Sequence, residues 1–165
     1  MKRGILMAVI VGAALAAGCA NTHRVSTTPP WPVDRVDYID VWATPPAAIN
    51  WDDVPGPDGV RLNVFLYQAN RAEPVMGKGT LEFTMYEGHQ KSDAMAAAKP
   101  LRTWTFTTQE LATRQVRTMA GWGYAIQLGW GRDVPKSAGV TFVARYLPAQ
   151  GTPTASAPIM IGVPQ

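Results

Sequence analysis

The chain has 165 residues, of which 47% are hydrophobic and 16% charged, a composition that favours a packed core and excludes a largely disordered protein. Its formal net charge is +3, but Lys2 and Arg3 lie in an N-terminal stretch that we expect to be removed. The remaining 13 basic and 12 acidic residues give no electrostatic basis for nucleic-acid binding. The single cysteine, Cys19, excludes an intramolecular disulfide.

The N-terminus has the pattern of a secretory leader. A charged start is followed by an apolar run, residues 5–17, which is shorter than the roughly 20 residues that span a membrane. The run ends in Leu15-Ala16-Ala17-Gly18-Cys19, which resembles the lipobox of bacterial lipoproteins, with Ala16 where leucine is commoner. The resemblance implies that residues 1–18 are a signal peptide cleaved before Cys19, and that the Cys19 thiol carries a diacylglycerol.

This resemblance also implies a location. Several acyl chains, at about 0.8 kcal/mol per buried methylene, hold a protein stably on a membrane. Ala20, rather than aspartate, follows the cysteine, and by similarity to the sorting of such lipoproteins this favours the outer membrane. An ordinary secretory signal with a chance cysteine is disfavoured, because the only cysteine occupies the position that lipidation requires.

After the lipidated cysteine, the chain divides into a tether and a single domain. Residues 19–32 are polar and proline-rich without periodicity, so we expect a flexible segment. Residues 33–165 are predicted to form one domain, since about 130 residues can bury a sufficient core without disulfides.

Alternation of apolar and polar residues predicts about seven strands in this domain. They cover residues 37–44, 60–69, 79–87, 101–107, 121–131, 140–147 and 158–163. The turn-rich segments 70–77 and 132–139 predict hairpins between the strands that flank them. Thr107 and Glu110 have capping-box spacing, which predicts one or two turns of helix over residues 108–114.

The strand over residues 121–131 is the strongest of these. One face is bulky, formed by Trp122, Tyr124, Ile126, Leu128 and Trp130. The other face is nearly bare, and we expect it to let a neighbouring backbone or large side chain approach closely.

These elements predict an all-β fold, an antiparallel two-sheet sandwich with immunoglobulin-like or transthyretin-like topology. A C2-like sandwich or a small open barrel is the alternative. The terminal strand, 158–163, begins with proline and suits a sheet edge, where a partner strand can add.

The loop over residues 50–59 contains a candidate metal site. Asp52, Asp53 and Asp58 supply oxygen ligands of the kind calcium prefers, but their spacing matches no EF-hand. The alternative is turn chemistry, in which the carboxylates accept hydrogen bonds from nearby backbone N–H groups. Calcium is therefore a minor hypothesis, and no cofactor is expected beyond the covalent lipid on Cys19.

Aromatic residues suggest a candidate binding surface. Phe65, Tyr67 and Tyr86 are predicted to point outward from their strands, where rigid rings bind sugars or peptides. Core packing is the expectation for the tryptophans within strands: Trp42, Trp104, Trp122 and Trp130. Trp31 and Trp51 lie beside prolines and loops and are expected to be more exposed.

The sequence lacks recognisable catalytic machinery. It has no nucleophile elbow of the G-x-S-x-G type. His89 is the single histidine of the predicted domain, and one histidine without a free thiol provides too few ligands for a zinc site. We expect a membrane-anchored, non-enzymatic binding or structural module of the cell envelope. Its partner would be another envelope protein or the polysaccharide of the wall. The alternative is a small hydrolase or calcium-dependent protein that uses the acidic loop 50–59.

Overall fold

The computed structural model describes residues 27–95 and 97–164. The predicted signal peptide, Cys19 and most of the predicted tether therefore lie outside the described residues. Within them are ten strands and one short helix. The elements are β1 (Tyr38–Trp42), β2 (Ala48–Ile49), β3 (Gly59–Tyr67), β4 (Thr80–Glu87), β5 (Pro100–Phe106), α1 (Thr108–Ala112), β6 (Gln115–Thr118), β7 (Gly121–Gly129), β8 (Gly139–Leu147), β9 (Thr154–Ala155) and β10 (Ile159–Gly162).

The strands form two antiparallel sheets that pack against each other, which confirms the predicted β-sandwich. Sheet 1 has the order β1-β3-β7-β6, and β2 also pairs with β3. Sheet 2 has the order β10-β8-β4-β5, and β9 also pairs with β8. Leaving out β2, the strands are lettered in chain order as A (β1), B (β3), C (β4), C′ (β5), D (β6), E (β7), F (β8) and G (β9 with β10). In these letters, sheet 1 has the order A-B-E-D and sheet 2 has the order G-F-C-C′. This is the arrangement of immunoglobulin-like domains, with an extra C′ strand.

The core lies between the sheets and is built by strand alternation. On β7, Tyr124, Ile126 and Leu128 are buried, whereas Gln127 between them is exposed. This confirms the predicted bulky inner face of the strand. At about 1.5–3 kcal/mol for each large side chain removed from water, such faces supply the main driving force of folding.

The two predicted hairpins are wrong. β3 lies in sheet 1 and β4 in sheet 2, so residues 68–79 cross from one sheet to the other. Residues 130–138 make a second crossing, between β7 and β8. The physical reason is visible in the first crossing, where Val75 and Met76 are buried in the core instead of forming a solvent-exposed turn.

Two tyrosines, one from each sheet, hold this first crossing segment. The Tyr124 hydroxyl, on β7, accepts a hydrogen bond from the Gly77 N–H at 2.9 Å. The Tyr146 hydroxyl, on β8, accepts one from the Gly79 N–H at 2.8 Å and donates one to the Val33 carbonyl at 3.0 Å. Buried backbone groups need such partners, so the pair of hydroxyls fixes the path of the crossing.

Glycine is required where the crossing passes the tyrosine ring. A Cβ on Gly77 would lie 2.6 Å from Cε2 of Tyr146, and one on Gly79 would lie 2.2 Å from the Leu147 carbonyl oxygen. Both distances are far shorter than a van der Waals contact. The crossing can therefore lie this close to β8 only without side chains at these two positions.

The N-terminal end of the domain is tied to the same segment. The Val33 N–H donates to the Met76 carbonyl at 2.8 Å, and the Val33 carbonyl accepts from the Lys78 N–H at 2.9 Å. Val33 thus pairs in parallel with Gly77. The described residues before it, 27–32, contain no strand or helix.

The predicted helix is confirmed but is shorter than expected. The Thr107 side chain caps the helix and Glu110 completes the capping box, while Thr113 is already the C-terminal cap. Strands β2 and β9 were not predicted, because two residues are too few to show alternation. β6 was also not among the predicted strands.

We predict that Tyr124→Phe lowers the free energy of unfolding by about 1–3 kcal/mol, because the buried Gly77 N–H loses its acceptor. Urea unfolding near neutral pH measures the change. Tyr38→Phe is the matched control, because it also removes a tyrosine hydroxyl. Tyr38 is 47% exposed, so water can take the place of the lost hydroxyl. We expect that control to stay within about 0.5 kcal/mol of the wild type.

The same variant should also differ from the wild type in how its stability changes at alkaline pH. Burial raises the pKa of Tyr124 from its ordinary value of 10.0 to about 12. The native state therefore holds this proton more tightly than the unfolded chain. The stability contributed by the neutral hydroxyl is fully present below pH 10.0 and is lost as the pH rises through about 12. Wild type should lose more stability than Tyr124→Phe in that window, and equal losses would contradict the assignment.

Candidate functional site

The outer face of sheet 1 carries a group of aromatic side chains from β1 and β3. Tyr38 and Trp42 alternate with the inward-facing residues of β1, and Phe65 and Tyr67 do the same on β3. Tyr38 is 47% and Trp42 is 42% exposed, whereas Phe65 is fully buried beneath its neighbours. We call these four residues the aromatic face.

The rings of the aromatic face are ordered by contacts with one another. Tyr38 and Tyr67 are opposite each other in the strand register and stack with centroids 4.7 Å apart and planes 6° apart. Trp42 packs on Phe65 at 4.7 Å, tilted by 56°. The Trp42 indole N–H also donates to the Asp40 carboxylate at 2.7 Å. Because the rings are already positioned, a partner would pay little entropy to order them.

The small residues on the outer face of β7 leave room for the rings of the aromatic face. A Cβ on Gly123 would lie 2.7 Å from Cδ1 of Phe65, so the Phe65 ring occupies the space that a larger residue would fill. This confirms the expectation that the small face of residues 121–131 admits a large side chain from a neighbour. Phe65 therefore packs over Gly123 of β7, and the Trp42 ring packs on Phe65.

Polar groups lie on and beside the aromatic face. Burial raises the pKa of Tyr67, and the negative charge of Asp40 raises it further, so the Tyr67 hydroxyl stays neutral at physiological pH. Asn63 lies opposite Trp42 in the register and is half-buried. The face therefore combines apolar rings with an amide, a carboxylate and a hydroxyl, groups that suit recognition of a partner surface.

The predicted surface of Phe65, Tyr67 and Tyr86 is not one surface. Phe65 and Tyr67 lie on the outer face of sheet 1, but Tyr86 is on β4 and belongs to sheet 2. Alternation with the buried Leu81, Phe83 and Met85 places Tyr86 on the outer face of that sheet, on the opposite side of the sandwich. The error follows from the wrong β3–β4 hairpin.

The tryptophans mostly follow expectation. Three of the four predicted core tryptophans pack in or against the core, namely Trp104, Trp122 and Trp130. Trp42 does not, because the alternation of β1 turns Ile39 and Val41 inward and Trp42 outward. Trp31 and Trp51 are 91% and 41% exposed, as predicted.

Two of the three carboxylates of the acidic loop accept hydrogen bonds from backbone groups of the same loop. Asp52 accepts a hydrogen bond from the Val54 N–H at 2.8 Å, and Asp58 accepts one from the Trp51 N–H at 2.6 Å. Asp53 is exposed. Among residues 27–95 and 97–164, no three or more histidine, cysteine or acidic side chains form a group arranged to hold a metal ion. The observed bonds are those of turn chemistry.

A shallow cavity of about 260 Å³ lies between this loop and the end of β7. Asp58 lines it together with Trp51 and Trp130, but Asp52 and Asp53 do not. Hydrolysis by paired carboxylates needs two of them facing one substrate. The loop therefore supplies no observation that favours the hydrolase alternative.

The remaining sequence predictions concern Cys19, His89 and membrane-spanning helices. Lipidation of Cys19 falls outside the described residues. His89 is exposed and its ring lies against Gly139, on which a Cβ would be 2.4 Å from Nε2. Within the described part of the chain, no helix has the length and hydropathy to cross a bilayer.

No family model, no curated protein and no solved structure matches this chain.

We predict that the melting temperature is the same in excess calcium and in a chelator. Calcium needs six to eight oxygen ligands, and the carboxylates of Asp52 and Asp58 already accept backbone hydrogen bonds. Thermal unfolding followed by circular dichroism makes the comparison. A calcium-dependent rise that Asp58→Asn abolishes would contradict the prediction and assign a metal site to the loop.

Proposed function

We propose that this protein is a lipid-anchored lipoprotein of the bacterial cell envelope, whose immunoglobulin-like domain is a non-enzymatic binding module. We propose further that the aromatic face contacts another envelope protein. The observation that carries the proposal is that Tyr38 and Trp42 are nearly half exposed and yet held in fixed positions by Tyr67 and Phe65.

Support for the anchor comes from the sequence. The only cysteine of the chain, Cys19, follows Leu15-Ala16-Ala17-Gly18 at the position where lipoprotein leaders are cleaved and lipidated. Ala20 favours the outer membrane. Residues 19–32 then connect the lipid to the domain, in which Val33 pairs with Gly77.

Support for a protein partner comes from the chemistry of the aromatic face. Tyrosine and tryptophan are enriched at protein interfaces, where they bury a large area at low entropic cost. Phe65 and Tyr67 hold the exposed rings in place, and Asp40 and Asn63 add polar groups beside them. Wall polysaccharide is the other class of partner and appears as an outcome of the test below.

We predict that Cys19→Ala releases the protein from membranes or leaves its leader uncleaved, because the thiol that receives the lipid is lost. Fractionation of cells, with immunoblotting of soluble and membrane fractions, measures the distribution. Ala20→Ser is the control, since it leaves the thiol intact and should remain in the membrane. Normal membrane retention of processed Cys19→Ala would overturn the anchor.

We predict that a photo-crosslinking residue at position 38 captures a discrete envelope protein in cells, whereas one at position 86 does not. Both positions are tyrosines on outer strand faces, but they lie on opposite sides of the sandwich. Identification of the adduct by mass spectrometry gives the partner. Polysaccharide adducts at position 38 would replace the protein partner with the wall, and identical adducts at both positions would overturn the aromatic face as the site.

The captured partner then allows a quantitative test. Trp42→Ala should weaken its binding by roughly 30-fold, corresponding to about 2 kcal/mol for an interface anchor. Tyr86→Ala should leave the affinity unchanged. Because Trp42 also covers Phe65, the melting temperature of each variant is measured alongside binding.

A further inference from the structure

One end of the sandwich contains both the exit of the tether and a projecting hairpin. We call it the tether end. Val33 pairs with Gly77 there, and the crossing segment continues to Pro74. A Cβ on Gly121 would lie 2.9 Å from Cδ of Pro74, so the turn between β6 and β7 lies against the same segment. The opposite end holds the loops before β3 and after β7.

Two large apolar side chains project from the tether end. Met119 lies in the two-residue turn between Thr118 and Gly121, which pair with each other, and its side chain is fully exposed. Trp31, two residues before Val33, is 91% exposed. Single exposed apolar residues are common and need no explanation. These two are notable because both lie at the end where the chain leads to the predicted lipid.

We propose that Trp31 and Met119 enter the interfacial layer of the bilayer to which Cys19 is attached, so that the domain sits with its tether end on the membrane. The inference rests on the proposed lipid anchor. Tryptophan favours this layer because its ring is apolar and its N–H can remain hydrated. Methionine adds a flexible apolar side chain.

The dimensions of the chain favour this orientation. Residues 19–26, which precede the described part, span at most about 29 Å when fully extended. The nine residues of β7 run about 30 Å from the tether end to the opposite end. In the proposed orientation, Val54 and Val134, which are exposed at that opposite end, lie about one sandwich length further from the lipid.

The charged residues at the tether end neither favour nor disfavour contact with anionic lipid. The segments 33–37, 68–79 and 115–121, which form this end, carry the basic residues Arg35, Arg71, Lys78 and Arg117 and the acidic residues Asp34, Asp37 and Glu73. With the two signs nearly balanced, contact should depend on Trp31 and Met119. Insertion is consequently expected into neutral phosphatidylcholine bilayers and should be insensitive to salt.

The test uses the full-length lipidated protein reconstituted into phosphatidylcholine vesicles. Lipid blocks the Cys19 thiol, so an environment-sensitive fluorophore attaches only to a cysteine introduced by Met119→Cys or, as the control, by Val134→Cys. Both positions are exposed apolar residues in turns or loops, at opposite ends of the sandwich. We expect a blue shift at position 119 and strong quenching by lipids that carry a quencher on the acyl chain, with neither at position 134. Trp31→Ser should reduce the quenching at position 119.

Flotation of the vesicles separates the two proposals. Protein that floats with the vesicles but is quenched equally at positions 119 and 134 would overturn the membrane-facing orientation and leave the anchor standing. Protein that does not float, and whose Cys19 carries no lipid mass, would overturn the anchor and this orientation with it. Quenching at position 119 that disappears at high salt would also overturn the inference, because it would show an electrostatic contact.

Discussion

The Tyr146 hydroxyl is the contact on which the rest of the domain depends. It accepts hydrogen bonds from the backbone of the crossing segment and donates one to Val33, so the full capacity of a phenol is used. Tyr124 holds the same segment from the other sheet. The two sheets are thus joined by directional bonds as well as by apolar packing, and the first residue of the domain is fixed at the same point.

This constraint also positions the aromatic face. The crossing between β3 and β4 directs the chain from sheet 1 into sheet 2, so that β3 pairs with β1 and β7 instead of with β4. Pairing with β1 brings Tyr38 opposite Tyr67 and supports Trp42 over Phe65. Pairing with β7 places Phe65 above Gly123. A β3–β4 hairpin would have occupied one of the two edges of β3 and so displaced β1 or β7 from it.

The sequence predicted the faces of strands better than their partners. Alternation correctly assigned Tyr124, Ile126 and Leu128 to the core, because a period of two reports which side a residue faces. It did not report which strand lies alongside, and the crossing segment resembles a turn in composition. For the site, Phe65 and Tyr67 were correctly placed outward. Tyr38 and Trp42 were missed as site residues although the alternation of β1 already separated them from Ile39 and Val41. The acidic loop was ambiguous because composition does not show whether carboxylates face a cation or their own backbone.

The parallel pairing of Val33 with Gly77 has a mechanical consequence. Tension applied to the chain before Val33 is transmitted to the bonds from Val33 to Met76 and Lys78. The Tyr146 hydroxyl adds a further bond to the same carbonyl and connects it to β8 in the second sheet. A pull on the tether is thus passed to the crossing segment and to β8 at the same residue.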